Sequence, residues 1–310
     1  MRSPAMPDGV CLGLWPTPMQ EVIGAARTFV KREDLNGFAF GGTKVRALEA
    51  LLNQARTTGS TTVVVGGRAD SNWVALAAIA ITRQGWECHC VFDASEIETL
   101  AVHIARSHGA VIHRASRSPR VANSDLTHLA RGLGPSTFSI DRAGATAVGA
   151  YAYASLASEI RNQVPDEMSF DIVVPLGSGG LTAGLLIGLA EAAGEAGHRD
   201  ISVVGVPVSK SGQQALDVVG DLVRACTMQG LTSVNVDGAL GRLRLLRRSS
   251  ARSARADYAE RACGTLLDPV FAGPTWHTYC ELDTSGERGV VLVASGGLPA
   301  VFDSASGVPS

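Results

Sequence analysis

The sequence predicts an α/β protein of two domains, each an open, twisted, mostly parallel sheet flanked by helices. Three observations carry that prediction. Short β-branched runs alternate with Ala-rich stretches at close intervals, the order that a parallel sheet with crossover helices requires. The strand runs are nearly continuous in apolar residues, as expected where helices cover both faces of a sheet. Glycine clusters stand where strands hand over to helices, the place where open α/β sheets bind ligands. A chain of 310 residues with 45% hydrophobic content can also bury a large core.

The elements follow in order. Lys44 opens a helix marked by Val45, Leu48, Leu51 and Leu52 at helical spacing. Residues 61–65 form a buried strand, 71–83 a helix rich in Ala and Ile, and 87–92 the next strand. Residues 96–108 form a helix ended by Gly109, and 110–113 a short strand. A second series starts with a long helix over 147–162. A strand follows over 170–176, a helix over 181–193, a strand over 201–206 and a last strand over 290–294. The two series divide the chain into a large cofactor-binding domain, 1–50 with 155–310, and a small substrate-side domain, 51–154. A ligand cleft is expected between them.

Bulk properties exclude several functions. The net charge is -2 and the pI about 6.4, so neither nucleic acid nor an acidic membrane surface is an expected partner. No apolar run reaches the roughly 18 residues of a membrane span. The first ten residues lack the apolar stretch of a secretory signal, and a cytoplasmic protein is expected. The six cysteines are scattered. Cys88 and Cys90 would share one face of a strand. Without a second Cys/His pair at finger-like spacing, no metal is expected, and the cysteines read as buried and reduced. Six arginines crowd the segment 242–255: Arg242, Arg244, Arg247, Arg248, Arg252 and Arg255. They form a solvated face, or one of them meets an anionic group on substrate or partner.

Four motifs carry chemistry. Gly41-Gly42-Thr43-Lys44 delivers a lysine to the first turn of a helix, where positive potential lowers an amine's pKa. Such a lysine can form a Schiff base with an aldehyde. Gly177-Ser178-Gly179-Gly180 lies between a strand and a helix, and its backbone N–H groups suit a phosphate. Neither a Walker loop nor a dinucleotide fingerprint fits it. Ser71-Asn72 opens a helix behind Gly66-Gly67, either as a simple cap or as a hydroxyl and an amide offered at the mouth of the sheet. Ser295-Gly296-Gly297-Leu298-Pro299 ends a strand, and its serine can bond a ring nitrogen or a phosphate, or cap the next turn.

The order of these motifs, with Lys31-Arg32-Glu33-Asp34-Leu35, Leu267-Asp268-Pro269-Val270 and the segment from Ile140 to Tyr151, resembles the pyridoxal-phosphate enzymes of the tryptophan-synthase β fold (fold type II). Within them the chain is similar to the D-cysteine desulfhydrase and 1-aminocyclopropane-1-carboxylate (ACC) deaminase family. The resemblance implies a pyridoxal 5'-phosphate cofactor in the cleft and a homodimer acting on a small amino acid. By it, Lys44 is the Schiff-base lysine and general base, and Ser71 faces the substrate as a second catalytic residue. Asn72 meets the ring oxygen, Gly177, Ser178, Gly179, Gly180 and Thr182 hold the phosphate, Ser295 meets the pyridine nitrogen, and Phe271 lies near the ring.

Departures from the family limit the substrate. Thr43 stands where the family has asparagine, Phe271 where it has tyrosine, and Ser295 where it has threonine. A second family tyrosine is replaced near 238–245, with Arg242 as its candidate successor. Losing the tyrosines argues against ACC ring opening. The resemblance therefore implies α,β-elimination on D-cysteine or a β-substituted alanine. The alternatives are β-replacement through an aminoacrylate, ACC-type ring opening, and a non-catalytic pyridoxal-phosphate-binding sensor or partner subunit.

Overall fold

A computed structural model describes residues 9–94, 98–115, 121–166, 168–192, 200–282 and 288–305. Ten strands form two sheets. The larger combines β1 (Met19–Glu21), β2 (Thr28–Lys31), β7 (Phe170–Leu176), β8 (Ile201–Pro207), β9 (Leu243–Leu245) and β10 (Gly289–Val293) in the order β1-β2-β10-β7-β8-β9. Only β1 runs antiparallel. The smaller sheet is all parallel: β3 (Thr62–Gly67), β4 (Glu87–Phe92), β5 (Val111–Arg114) and β6 (Thr137–Ser139), in the order β5-β4-β3-β6. Because the strands are parallel, their C-terminal ends share one edge of each sheet, and the motif glycines collect there.

The central strands are buried along their whole length, as their apolar runs require. The main core joins the two sheets through α1 (Lys44–Thr57), α2 (Asn72–Arg83), α5 (Ala147–Tyr151), α6 (Ala154–Gln163) and α7 (Gly180–Glu191). Its centre is α7, whose first ten residues are all buried, so no polar face is needed. A second cluster lies on the other face of the large sheet. There Trp276 and Tyr279 of α11 (Ala272–Leu282) meet Val173, Val290 and Leu292. A third covers the outer face of the small sheet under α4 (Asn123–Leu133).

The predicted long helix over 147–162 is two helices. Tyr153 turns inward between them and is 1% exposed. The break lets α7 approach closely: a Cβ at Gly184 would stand 2.2 Å from the Ala150 carbonyl oxygen and 2.6 Å from the Tyr153 side chain. Of the helix predicted over 96–108, residues 96 and 97 lie outside the described residues, and α3 spans Leu100–Ser107. Residue 193, the end of the helix predicted over 181–193, also lies outside them, as do residues 1–8 of the N-terminal segment. Five cysteines are buried and Cys11 is exposed, which corrects the expectation for that one. Cys88 and Cys90 do share a face, their sulfurs 3.6 Å apart. No helix among the described residues is long and apolar enough to cross a membrane, and no group of His, Cys, Asp or Glu there could hold a metal ion.

Two charge networks sit inside the fold. Lys31, fully buried on β2, donates to the Thr17 carbonyl, Glu159 and Gln163 at 2.7–2.8 Å. Arg46 of α1 bridges Glu33 and Glu159 at 2.8–2.9 Å. The Lys31-Arg32-Glu33-Asp34 motif thus ties β2, α1 and α6 together beneath the lysine helix. In the second, Asp171 on β7 accepts from Arg244, Arg288 and Tyr279. Much of the arginine segment is absorbed in this way: Arg244 by Asp171, Arg252 by Asp257 and Arg255 by the Thr28 hydroxyl. Arg242 reaches the carbonyl of Ile201, at the start of β8. That is the sheet edge opposite the motif glycines, so Arg242 does not succeed an active-site tyrosine.

Candidate active site

Two glycines set the position of Lys44. Both adopt left-handed φ, +69° at Gly41 and +104° at Gly42. A Cβ would lie 2.0 Å from the Asp34 carbonyl oxygen at Gly41 and 2.8 Å from the Ser295 carbonyl oxygen at Gly42. Only glycine lets the chain pass between these two backbones. The Thr43 N–H then donates to the Ser295 carbonyl at 3.1 Å, and α1 begins at Lys44. The Lys44 Nζ donates to the Ala143 carbonyl at 3.0 Å and to Ser178 Oγ at 3.2 Å.

Lys44 has no carboxylate partner among the described residues. Burial therefore acts unopposed, pushing its pKa down to about 8. Desolvation is the cause, where the sequence pointed to the helix terminus. The sign is direct: the neutral, nucleophilic fraction grows as pH rises through about 8, well below the ordinary value of 10.5. Covalent capture of an aldehyde by the cofactor-free protein should show its midpoint there, and stopped-flow absorbance across pH 6–11 checks it. The chain has three lysines, Lys31, Lys44 and Lys210. Lys31 is locked in the ion network, and Lys210 donates to the Gly177 carbonyl at 2.6 Å.

Ser71 caps α2, its Oγ accepting from the Val74 N–H at 3.4 Å. It tucks against Gly67, where a Cβ would stand 2.8 Å from that oxygen. The cap reading of Ser71 is therefore real, and its hydroxyl proton remains available. Asn72 follows, half-buried, with a side-chain oxygen that is buried and unpartnered. Trp73 is 3% exposed, and its ring centroid lies 5.9 Å from the Lys44 Nζ.

At the end of β7, Gly179 takes φ +90° and turns the chain into α7, aiming the first N–H groups of that helix outward. Thr182 is fully buried in the first turn, and its hydroxyl has no partner. The ring of Phe271 lies over Gly177, 3.2 Å from where a Cβ would stand. Ser295 ends β10 half-buried, and its carbonyl rather than its hydroxyl ties it to Thr43. The Leu267-Asp268-Pro269-Val270 motif supports this region. Fully buried Asp268 accepts from the N–H groups of Val270, Phe271 and Ala272 at 2.6–3.0 Å, and it packs against Gly297. Burial raises its pKa, and those three donors only partly offset the rise.

Lys44, Ser178 and the helix end at Gly180 are brought together directly, and Phe271 borders Gly177. The Ser295 backbone adjoins Thr43, while Ser71 and Asn72 stand at the C-terminal edge of the small sheet beside Trp73. A phosphorylated aldehyde fits this arrangement. Unpartnered buried oxygens on Asn72 and Thr182 call for a polar ligand, and a desolvated amine calls for a carbonyl carbon.

Three residues escaped sequence reasoning. Ala143 holds φ +57°, a left-handed conformation that costs a side-chain-bearing residue about 1–2 kcal/mol, and its carbonyl receives Lys44. Ala143→Gly should therefore raise stability by about 0.5–1 kcal/mol, read from the urea midpoint, because glycine carries no such strain. A backbone carbonyl leaves no mark on side-chain identity, so no sequence signal existed. Trp73 did carry one, as a large residue beside the motif pair Ser71-Asn72, and Lys210 as one of three lysines in the chain.

The sequence profile of the family described as "Pyridoxal-phosphate dependent enzyme" matches residues 10–269. A Pyrococcus abyssi protein provisionally named a 1-aminocyclopropane-1-carboxylate deaminase is 30% identical, over 93% of this chain and 91% of its own length. The D-cysteine desulfhydrase of Yersinia pestis is 26% identical, over 88% and 87%. The crystal structure of an "ACC deaminase homologue" superposes with a TM-score of 0.80 at 24% identity, covering 97% of this chain and 95% of that one. An O-ureido-L-serine synthase shares the fold at a TM-score of 0.66 and 18% identity, covering 98% and 95%.

Proposed function

This chain belongs to the pyridoxal-phosphate dependent enzymes, and from that premise we propose that it removes a β substituent from a small amino acid. For X–CH2–CH(NH3+)–COO−, one water is consumed and pyruvate, ammonium and HX are released. The C–H bond at the α carbon and the C–X bond at the β carbon break. D-cysteine and β-substituted alanines are the substrates of choice, since a relative 26% identical is named D-cysteine desulfhydrase.

The observation that carries this reading is Lys44 itself: desolvated, without a carboxylate partner and 3.2 Å from Ser178. When bound, pyridoxal phosphate draws electrons from the α carbon of the amino acid attached to it. Lys44 would hold the cofactor through its amine, and that amine, once free, would take the proton at the α carbon of the substrate. The N–H groups of the 177–180 loop and the Thr182 hydroxyl would hold the phosphate. The Asn72 side chain would orient the ring, and the Ser295 hydroxyl would serve its nitrogen. Ser71 binds the substrate carboxylate through its hydroxyl. Buried Trp73 would exclude water beside Lys44.

The holoenzyme should be offered D- and L-cysteine, D- and L-serine, diaminopropionate, O-acetylserine and ACC, with 2-oxo acid and ammonia both quantified. Pyruvate and ammonia in equal amounts from a β-substituted substrate support elimination. Release of the β substituent without pyruvate, dependent on an added nucleophile, points to replacement instead. No product from any of them sinks the proposal.

A further inference from the structure

Once the cofactor residues and the internal ion pairs are set aside, three of the remaining cations collect at the edge of the motif loop. Lys210 follows β8 at the same sheet edge as Gly177, and its Nζ donates to the Gly177 carbonyl at 2.6 Å. An ammonium has three N–H groups, so two remain to be used. Arg248 follows β9 at that edge, and its Nη1 reaches the carbonyl of Val208, two residues before Lys210, at 3.4 Å. Arg142 is exposed and directly precedes Ala143, whose carbonyl receives Lys44. Its guanidinium lies close enough to Lys210 to add to the lowering of that amine's pKa, which burial begins.

The contrast with the other cations is informative. Arg32, Arg46, Arg68, Arg106, Arg224, Arg244, Arg252 and Arg288 each meet a carboxylate. Among the described residues Arg142, Lys210 and Arg248 meet none; Arg56, Arg83 and Arg247 also lack one, but the first three stand at the edge that holds Lys44 and Gly177. Lys210 and Arg142 repel one another, Arg248 is anchored on the same loop at Val208, and an anion placed among them relieves that repulsion. Lys44 and Lys210 touch consecutive residues, Ser178 and Gly177, so the cations border the reacting amine rather than a remote surface.

We infer that Lys210, with Arg248 and Arg142, forms a subsite for a second negative charge on the substrate, carried by its β substituent as a carboxylate, sulfonate or phosphate group. This rests on the proposed reading of the site as one that takes small β-substituted amino acids. The chemistry is consistent with elimination, because an anionic substituent drawn toward cations is stabilised as it departs with the bonding electrons. Lys210 also lies on a turn between two serines, Ser209 and Ser211, and its stem is half-buried, so its amine is held rather than swinging free.

The test measures binding, so that it does not depend on turnover. Calorimetry on the holoenzyme compares both enantiomers of 2-amino-3-phosphonopropionate with norvaline, a neutral ligand of similar length. The wild type should favour the phosphonate by about 10-fold or more, and the preference should fall at least several-fold in Lys210→Met and in Arg248→Met. Equal affinity for the two ligands in the wild type overturns the inference, as does a preference that survives both substitutions. If Lys210 serves the cofactor phosphate instead, Lys210→Met loses bound cofactor on dialysis while the ligand preference stays, which also overturns it. A clear charge preference with no turnover of any amino acid would leave the subsite standing and remove the elimination reading.

Discussion

Lys44→Ala should lower turnover by about 10³-fold or more, since one substitution removes both the covalent anchor and the proton-transfer group. Cofactor retention should fall with it. Among the described residues no other lysine can substitute. Lys31 is fully buried with its ammonium saturated by Thr17, Glu159 and Gln163. Lys210 is turned onto the Gly177 carbonyl. The folded state should tolerate the change well, because Lys44 gives up two hydrogen bonds and a desolvated amine whose pKa of about 8 already marks it as poorly accommodated when charged. An alanine variant that unfolds at the wild-type urea midpoint, lacks visible colour and produces no pyruvate is the expected result. Retained turnover would show that Lys44 is not the chemical group.

The second large effect is expected two residues further along α1, at Arg46 in the ion network beneath that helix. Arg46→Met should cost about 3–5 kcal/mol, because it leaves Glu33 buried without its charge partner. Arg46 also bridges Glu159 and lies with its guanidinium 3.9 Å from the centroid of the Trp15 ring, so packing is lost as well. Replacing Glu33 and Arg46 together by apolar residues of similar volume should recover most of that loss, since no charge is then stranded. The pH dependence follows from Glu159. Burial favours its neutral form, but hydrogen bonds and charges from Arg46 and Lys31 outweigh burial and hold its pKa below the usual 4.5. A lowered folded pKa gives stability that is complete above the ordinary carboxylate range and is lost as pH falls through the folded value. The gap between wild type and Arg46→Met should therefore narrow in acid, as measured by urea melts from pH 7 down to pH 3.

These effects also mark what could be read from the chain. The strands β3, β7, β8 and β10 were legible as largely apolar, buried runs, and β4 by its buried stretch from Cys88 to Phe92. β2 was not, since it ends in a lysine whose partners lie 128 and 132 residues away. The short strands β6 and β9 have too little pattern to see, and the break at Tyr153 depends on glycines in another helix. At the site, side-chain chemistry was visible: a lysine after two glycines, a serine-asparagine pair, a glycine loop. What the backbone contributes was invisible, above all the left-handed Ala143 that turns its carbonyl to Lys44. The arginine segment looked uniform in sequence, yet the fold turns Arg244, within β9, to Asp171 and carries Arg248 past the end of β9 to the motif edge.

The central claim is that the cofactor is bound through Lys44. Reduction of the holoprotein with borohydride, followed by proteolysis and peptide mass analysis, tests it directly, and with three lysines in the chain the outcome is unambiguous. The account predicts the reduced pyridoxyl-phosphate mass on the peptide containing Lys44 and on no other. The same mass on the peptide of Lys31 or Lys210, or on none, would contradict it.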